Sequence, residues 1–150
     1  MKLFEKILVE VRKLIDSPAG RDQTLSAVCS LLRQRVDHYD WVGFYLVDSE
    51  RMLVLGPYDG APTEHARIAF GQGICGQAAE REETFVVQDV SREDNYLSCS
   101  IDVRSEIVVP IFKDGAVVGE LDIDSHQLAP FTELEREYLE KICAMIAKIF

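Results

Sequence analysis

Residues 105–125 read SEIVVPIFKDGAVVGELDIDS, and this stretch decides the fold. Two runs rich in Val, Ile and Leu, Glu106 to Phe112 and Ala116 to Ile123, flank Lys113-Asp114-Gly115. An Asp-Gly pair adopts the left-handed backbone that a tight hairpin demands, so the stretch predicts two antiparallel strands. Pro110 cannot donate to a ladder, which predicts a sheet edge or a bulge there. Side chains alternate along a strand, so Asp122 and Asp124 share one face while Leu121 and Ile123 take the other. Carboxylates in such apolar strands are either solvent-facing edge charges or members of a pocket. If Glu106 lies close on the partner strand, three acids converge. They then repel one another unless they hold a cation, an amine or a proton, and at least one pKa rises.

Upstream, an apolar stripe at Leu3, Ile7, Leu8, Val11, Leu14 and Ile15 predicts an amphipathic helix, stopped by Pro18 and Gly20. Asp22 is the expected cap of a second helix with Leu25, Val28, Cys29, Leu32 and Val36 inward. From Trp41 to Val47 the pattern turns to aromatic and β-branched residues, and Met52 to Leu55 returns it as a hairpin. A polar loop from Gly56 leads to a short strand, Arg67 to Phe70. A short helix near Ile74 to Glu80 and a strand from Thr84 to Gln88 follow. Residues 89–104 read as a long polar loop carrying Cys99, and long loops in compact domains are commonly functional. Downstream, Thr132 and Glu135 form a capping-box pattern before a helix with Leu134, Tyr138, Leu139, Ile142, Cys143, Ile146 and Ile149 on its apolar face. This order predicts an α+β fold in one domain over 1–150, a mainly antiparallel central sheet covered by N- and C-terminal helices.

Composition narrows the function. A chain of 150 residues buries a core without disulfides, and 47% hydrophobic beside 28% charged residues is ordinary for a globular protein. No apolar span approaches membrane length, and MKLFEKILVEVRK reads as an amphipathic helix rather than a signal peptide, so a cytoplasmic location is expected. A formal net charge of −10 without a basic run argues against nucleic acid and anionic membranes. The cysteines at 29, 75, 99 and 143 lack CxxC spacing and read as free thiols, with Cys29 and Cys143 in the core. Cys75 sits at a helix start, where exposed N–H groups would favour a thiolate. Cys99, near Arg92 and Arg104, is the other candidate for activation. Cys75, Cys99, His38, His65 and His126 show no paired ligand spacing, so no metal site is expected. The three histidines read as loop residues. GQGICG at 71–76 matches GxGxxG formally, but hairpin strands surround it where a dinucleotide fold needs a parallel βαβ unit.

Taken together, WVGFY at 41–45, LVLGP at 53–57, GQGICG, the Cys99 loop, SEIVVPI and GELDIDS resemble the free methionine-R-sulfoxide reductases, which are single GAF domains. The resemblance covers nearly the whole chain. It implies reduction of free L-methionine-(R)-S-oxide by Cys99 through a sulfenic acid. Glu106, Asp122 and Asp124 match the family's pocket acids, with Glu106 or Asp124 as proton donor. Trp41 and Tyr45 match the aromatics around the sulfoxide methyl. No bound cofactor is implied; an external reductant, thioredoxin or another thiol, resets the enzyme. The position ten residues before Cys75, where members commonly carry the resolving thiol, is His65. Cys75 is therefore the expected resolver. The terminal helices are compatible with a homodimer. A competing reading from another class is a non-catalytic GAF module that senses a small amine or amino acid.

Overall fold

The computed structural model describes residues 2–49, 51–97 and 100–150. The elements run α1 (Leu3–Asp16), α2 (Arg21–Arg35), β1 (Trp41–Asp48), β2 (Met52–Asp59), β3 (Arg67–Ala69), α3 (Gly73–Arg81), β4 (Phe85–Val87), β5 (Ser105–Lys113), β6 (Ala116–Ser125) and α4 (Glu133–Ile146). Short 3-10 turns occupy Val90–Arg92 and Ala147–Ile149. The strands form one six-stranded sheet in the order β3-β2-β1-β6-β5-β4, antiparallel throughout. Among the described residues, no helix is long and apolar enough to cross a membrane.

Strand alternation sorts the sheet into two faces. Val42, Phe44, Ile107, Val109, Ile111, Leu121 and Ile123 pack against the inner stripes of α1, α2 and α4. Each such side chain contributes roughly 1.5–3 kcal/mol when fully buried, so this face is the main core. Trp41, Tyr45 and Val108 point the opposite way, toward Ile74, Cys75, Ala78 and Ala79 of α3. Cys29 and Cys143 are buried on the helical face, as their periodicity predicts.

The β5–β6 hairpin closes as expected: Lys113 pairs with Ala116, leaving Asp114 and Gly115 as a two-residue loop at φ 54° and 81°. Among the described residues Pro110 has no strand partner on its outer side, because β4 begins at Phe85, opposite Val108. The bulge in β5 falls one step later, between Ile111 and Phe112.

Three local expectations need correction. Helix α2 starts at Arg21 with Gly20 as its N-cap, so Asp22 lies in the first turn, where its charge complements the helix dipole instead of capping. Strand β2 continues through Gly56 and Pro57 to Asp59; the pairing steps from Gly43↔Tyr58 to Tyr45↔Leu55, and this bulge absorbs the proline. Leu3 and Leu134 remain exposed at the starts of their helices. The capping box of α4 is present, and Glu135 does more than cap. Its Oε2 accepts from Thr132 N at 2.8 Å, while its Oε1 meets His38 Nε2 at 2.6 Å and Tyr39 Oη at 3.0 Å. His38, His65 and His126 all lie in loops.

Candidate active site

The face of β6 turned toward α3 carries acids at every second position. Asp124 pairs with Trp41 on β1 and Glu106 on β5, Asp122 with Gly43 and Val108, and Glu120 with Tyr45 and Pro110. Glu106, Glu120, Asp122 and Asp124 are only 6%, 0%, 2% and 3% exposed, so the solvent-face reading of these acids is excluded. Burial pushes Asp124 and Glu120 well above the usual carboxylate range, and the charge of Asp122 adds to both shifts. Asp122 is raised by burial as well, opposed by hydrogen bonding with Glu106 and Cys75. The cluster therefore retains protons that exposed acids would release, and neutral acids of this kind can donate a proton.

Cys75 points from the first turn of α3 into this cluster, its Sγ 3.9 Å from Glu106 Oε2. The expected thiolate is corrected here. Burial, then the charges of Asp122, Glu106 and Glu120, raise the thiol well above its ordinary value. At the start of α3 the Gly73 N–H donates to Asn95 Oδ1 at 2.8 Å.

The sequence-predicted residues fall into two adjoining hollows. Trp41 and Asp124 line a cleft of about 170 Å³ with Asp40, Thr63, Ser100 and Asp102. Tyr45, Cys75, Glu106 and Asp122 line a small hollow of about 10 Å³, with His65 and Leu97 as further walls. The Glu106–Asp124 pairing makes the two hollows neighbours across β5 and β6. Cys99 lies outside the described residues. A wider hollow of about 520 Å³ near Val86, Gln88, Arg92 and Leu128 contains none of these groups.

Trp41 is held in a glycine-lined slot. A Cβ on Gly43 would come within 2.3 Å of its ring, and one on Gly60 within 2.5 Å. The ring stacks on Tyr58 at 5.4 Å between centroids, and Nε1 donates to Ala61 O at 3.0 Å. Tyr45 is fixed through its hydroxyl, which donates to His65 O at 2.8 Å.

Two residues escaped the sequence reading. Glu120 shares the period of Asp122 and Asp124, and extending that alternation one step back would have found it. Asn95 carries no such signal. Its Nδ2 donates to Gly71 O at 2.7 Å and its carbonyl accepts from Gln77 Nε2 at 3.0 Å, tying the long loop to α3.

A GAF domain family model matches residues 18–150. The free methionine-R-sulfoxide reductase of Saccharomyces cerevisiae is 34% identical, over 98% of this chain and 85% of its own length. That of Escherichia coli is 35% identical, over 84% of this chain and 75% of its own. The chain belongs to the free methionine-R-sulfoxide reductase family of GAF domains. Among solved members, the reductase of Neisseria meningitidis in complex with its substrate superposes with a TM-score of 0.93 at 37% identity, covering 98% of this chain and 87% of that one. The six-stranded antiparallel sheet and its flanking helices are thus the GAF fold of this reductase family.

Proposed function

We propose that the chain reduces free L-methionine-(R)-S-oxide to L-methionine, with Cys99 as nucleophile. Family membership makes it an oxidoreductase. The observation that carries the substrate assignment is the set of buried carboxylates, Glu106, Asp122 and Asp124, facing Trp41 and Tyr45 on one side of the sheet. An amino acid's ammonium supplies the positive charge that such a set lacks, and the aromatic faces suit a methyl group on electron-poor sulfur.

In this reading the Cys99 thiolate attacks the sulfoxide sulfur while a neutral Glu106 or Asp124 gives its proton to the oxygen. The S–O bond breaks, methionine leaves, and Cys99 is left as a sulfenic acid. The Cys75 thiol then attacks the Cys99 sulfur, the sulfoxide oxygen departs as water, and a disulfide forms. A thioredoxin-like protein or another thiol restores both cysteines by exchange, and no resident cofactor takes part. With His65 at the position of the family's usual resolving thiol, Cys75 takes that role from inside the acid cluster. The hollow beside Tyr45, about 10 Å³, has room for roughly one water, so a sulfoxide sits there only with displacement of the side chains that line it.

Epimer-resolved turnover of free methionine sulfoxide with dithiothreitol tests the assignment. Loss of the R epimer by wild type, abolished in Cys99→Ser, is expected. An inactive wild type would leave the non-catalytic binding module as the better reading. Mass spectrometry after one turnover should find a Cys75–Cys99 disulfide, and a Cys75→Ser variant that still recycles with thioredoxin removes Cys75 from the mechanism.

A further inference from the structure

We propose that Cys75, Glu106 and Asp122, backed by Glu120, form a binding site for one thiophilic divalent cation, for which Zn²⁺ is the probe. Linear spacing gives no hint of this site, because its donors come from α3, β5 and β6. The fold nevertheless brings one donor atom from each of Cys75, Glu106 and Asp122 within 4.8 Å of the others, all three residues buried. Tetrahedral zinc with Zn–S near 2.3 Å and Zn–O near 2.0 Å separates sulfur from oxygen by roughly 3.5 Å. The Cys75 Sγ to Glu106 Oε2 distance of 3.9 Å is already close to that.

A second observation, the pairing of the buried oxygens, also points to a ligand. Asp122 Oδ1 and both carboxylate oxygens of Glu120 are buried without a hydrogen-bond partner among the described residues. Asp122 lines the small hollow, and Glu120 shares its strand face. Buried carboxylate oxygens left unpaired carry an uncompensated desolvation cost. A cation removes that cost by taking the place of the retained protons. On binding, the Cys75 S–H and the protonated acids release their protons to solvent, the metal–sulfur and metal–oxygen bonds form, and nothing is oxidised or reduced.

The donor set and the space both select the ion. A cavity of about 10 Å³ admits a stripped ion and excludes a hydrated one, which disfavours Mg²⁺ because it dehydrates reluctantly. A thiolate ligand favours Zn²⁺ over Ca²⁺ or Mg²⁺. If the reductase reading above holds, the same ion ties up the resolving thiol and the acids that hold the substrate ammonium. Zinc would then act as a reversible inhibitor relieved by excess sulfoxide.

The test needs no substrate, so its outcome is separate from that of the reductase assignment. Reduced protein is titrated with Zn²⁺ against a chelator of known affinity, and with Co²⁺ while thiolate-to-metal charge-transfer absorption is followed. One ion per chain is expected, with the charge-transfer band present in wild type and Cys99→Ser but absent in Cys75→Ser. Glu120→Gln, which keeps the side-chain shape, should weaken Zn²⁺ binding about tenfold while retaining the band. A band that disappears in Cys99→Ser but survives in Cys75→Ser overturns the proposal, as does the absence of one-to-one binding in wild type.

Discussion

Replacing Gly43 with alanine probes how the sheet holds Trp41. A Cβ at this position falls 2.3 and 2.6 Å from two carbons of the Trp41 ring and 2.8 Å from the Tyr58 Cβ. Carbon atoms rest at about 3.5–4.0 Å, so the ring must move by more than about 1 Å. Overpacking of this kind costs about 1–3 kcal/mol. Displacing the ring also weakens the Nε1 bond to Ala61 O and the stack on Tyr58, each worth about 1 kcal/mol. The expected loss for Gly43→Ala is therefore roughly 2–4 kcal/mol, read by urea denaturation. A double-mutant cycle separates the ring from the rest. In a Trp41→Ala background the collision with the ring is gone and only the Tyr58 contact remains, so the coupling energy should exceed about 1 kcal/mol. Since Trp41 lines the cleft beside Asp124, KM for free methionine sulfoxide should rise more than kcat falls. A destabilisation below about 0.5 kcal/mol, or one equal in both backgrounds, would refute the glycine-slot argument.

Glu120 and Asp124 have raised pKa values, so the metal-free folded chain binds more protons than the unfolded chain between the ordinary carboxylate pKa and the elevated ones. Their contribution to stability is complete below the ordinary value and is lost as pH rises; Glu120→Gln should be stabilised by about 1–3 kcal/mol near pH 8, the gap closing toward about pH 4 in denaturation curves. Glu135→Ala removes the acceptor shared by His38, Tyr39 and Thr132 and should cost about 2–4 kcal/mol in the same assay. In Gly76→Ala the new Cβ would lie 2.4 Å from Ala69 O, a backbone atom that cannot rotate away, so a loss of about 2 kcal/mol or more is expected. Asn95→Ala removes the side-chain bonds to Gly71 and Gly73, and hydrogen exchange at the start of α3 should accelerate, beginning with the Gly73 amide.

Much of the scaffold was legible because local periodicity and turn chemistry are short-range. The Asp114-Gly115 turn, the Thr132–Glu135 box and the core positions of Cys29 and Cys143 all follow from neighbours a few residues apart. Errors appeared where a distant partner decides. Pro57 stays in β2 because that strand bulges there, Gly56 and Pro57 together facing Phe44 of β1, and Asp22 does not cap because the chain enters α2 through Gly20. The ionisation of Cys75 departs from the sequence expectation for the same reason. Its position in the helix is local, but the acids that hold its proton come from strands that follow much later in the chain.

The sequence alone determined the alternation that puts Asp122 and Asp124 on one side of a strand, together with the helices and hairpins that carry it. Strand and helix periods arise from backbone geometry, and any neighbour in the chain can be counted against them. Only the tertiary structure decided that this side faces α3 rather than solvent, that Glu120 joins it, and that the Cys75 thiol closes over the group. Burial depends on which layer packs against a face. In this chain, that packing turns ordinary carboxylates into proton-holding acids beside a thiol.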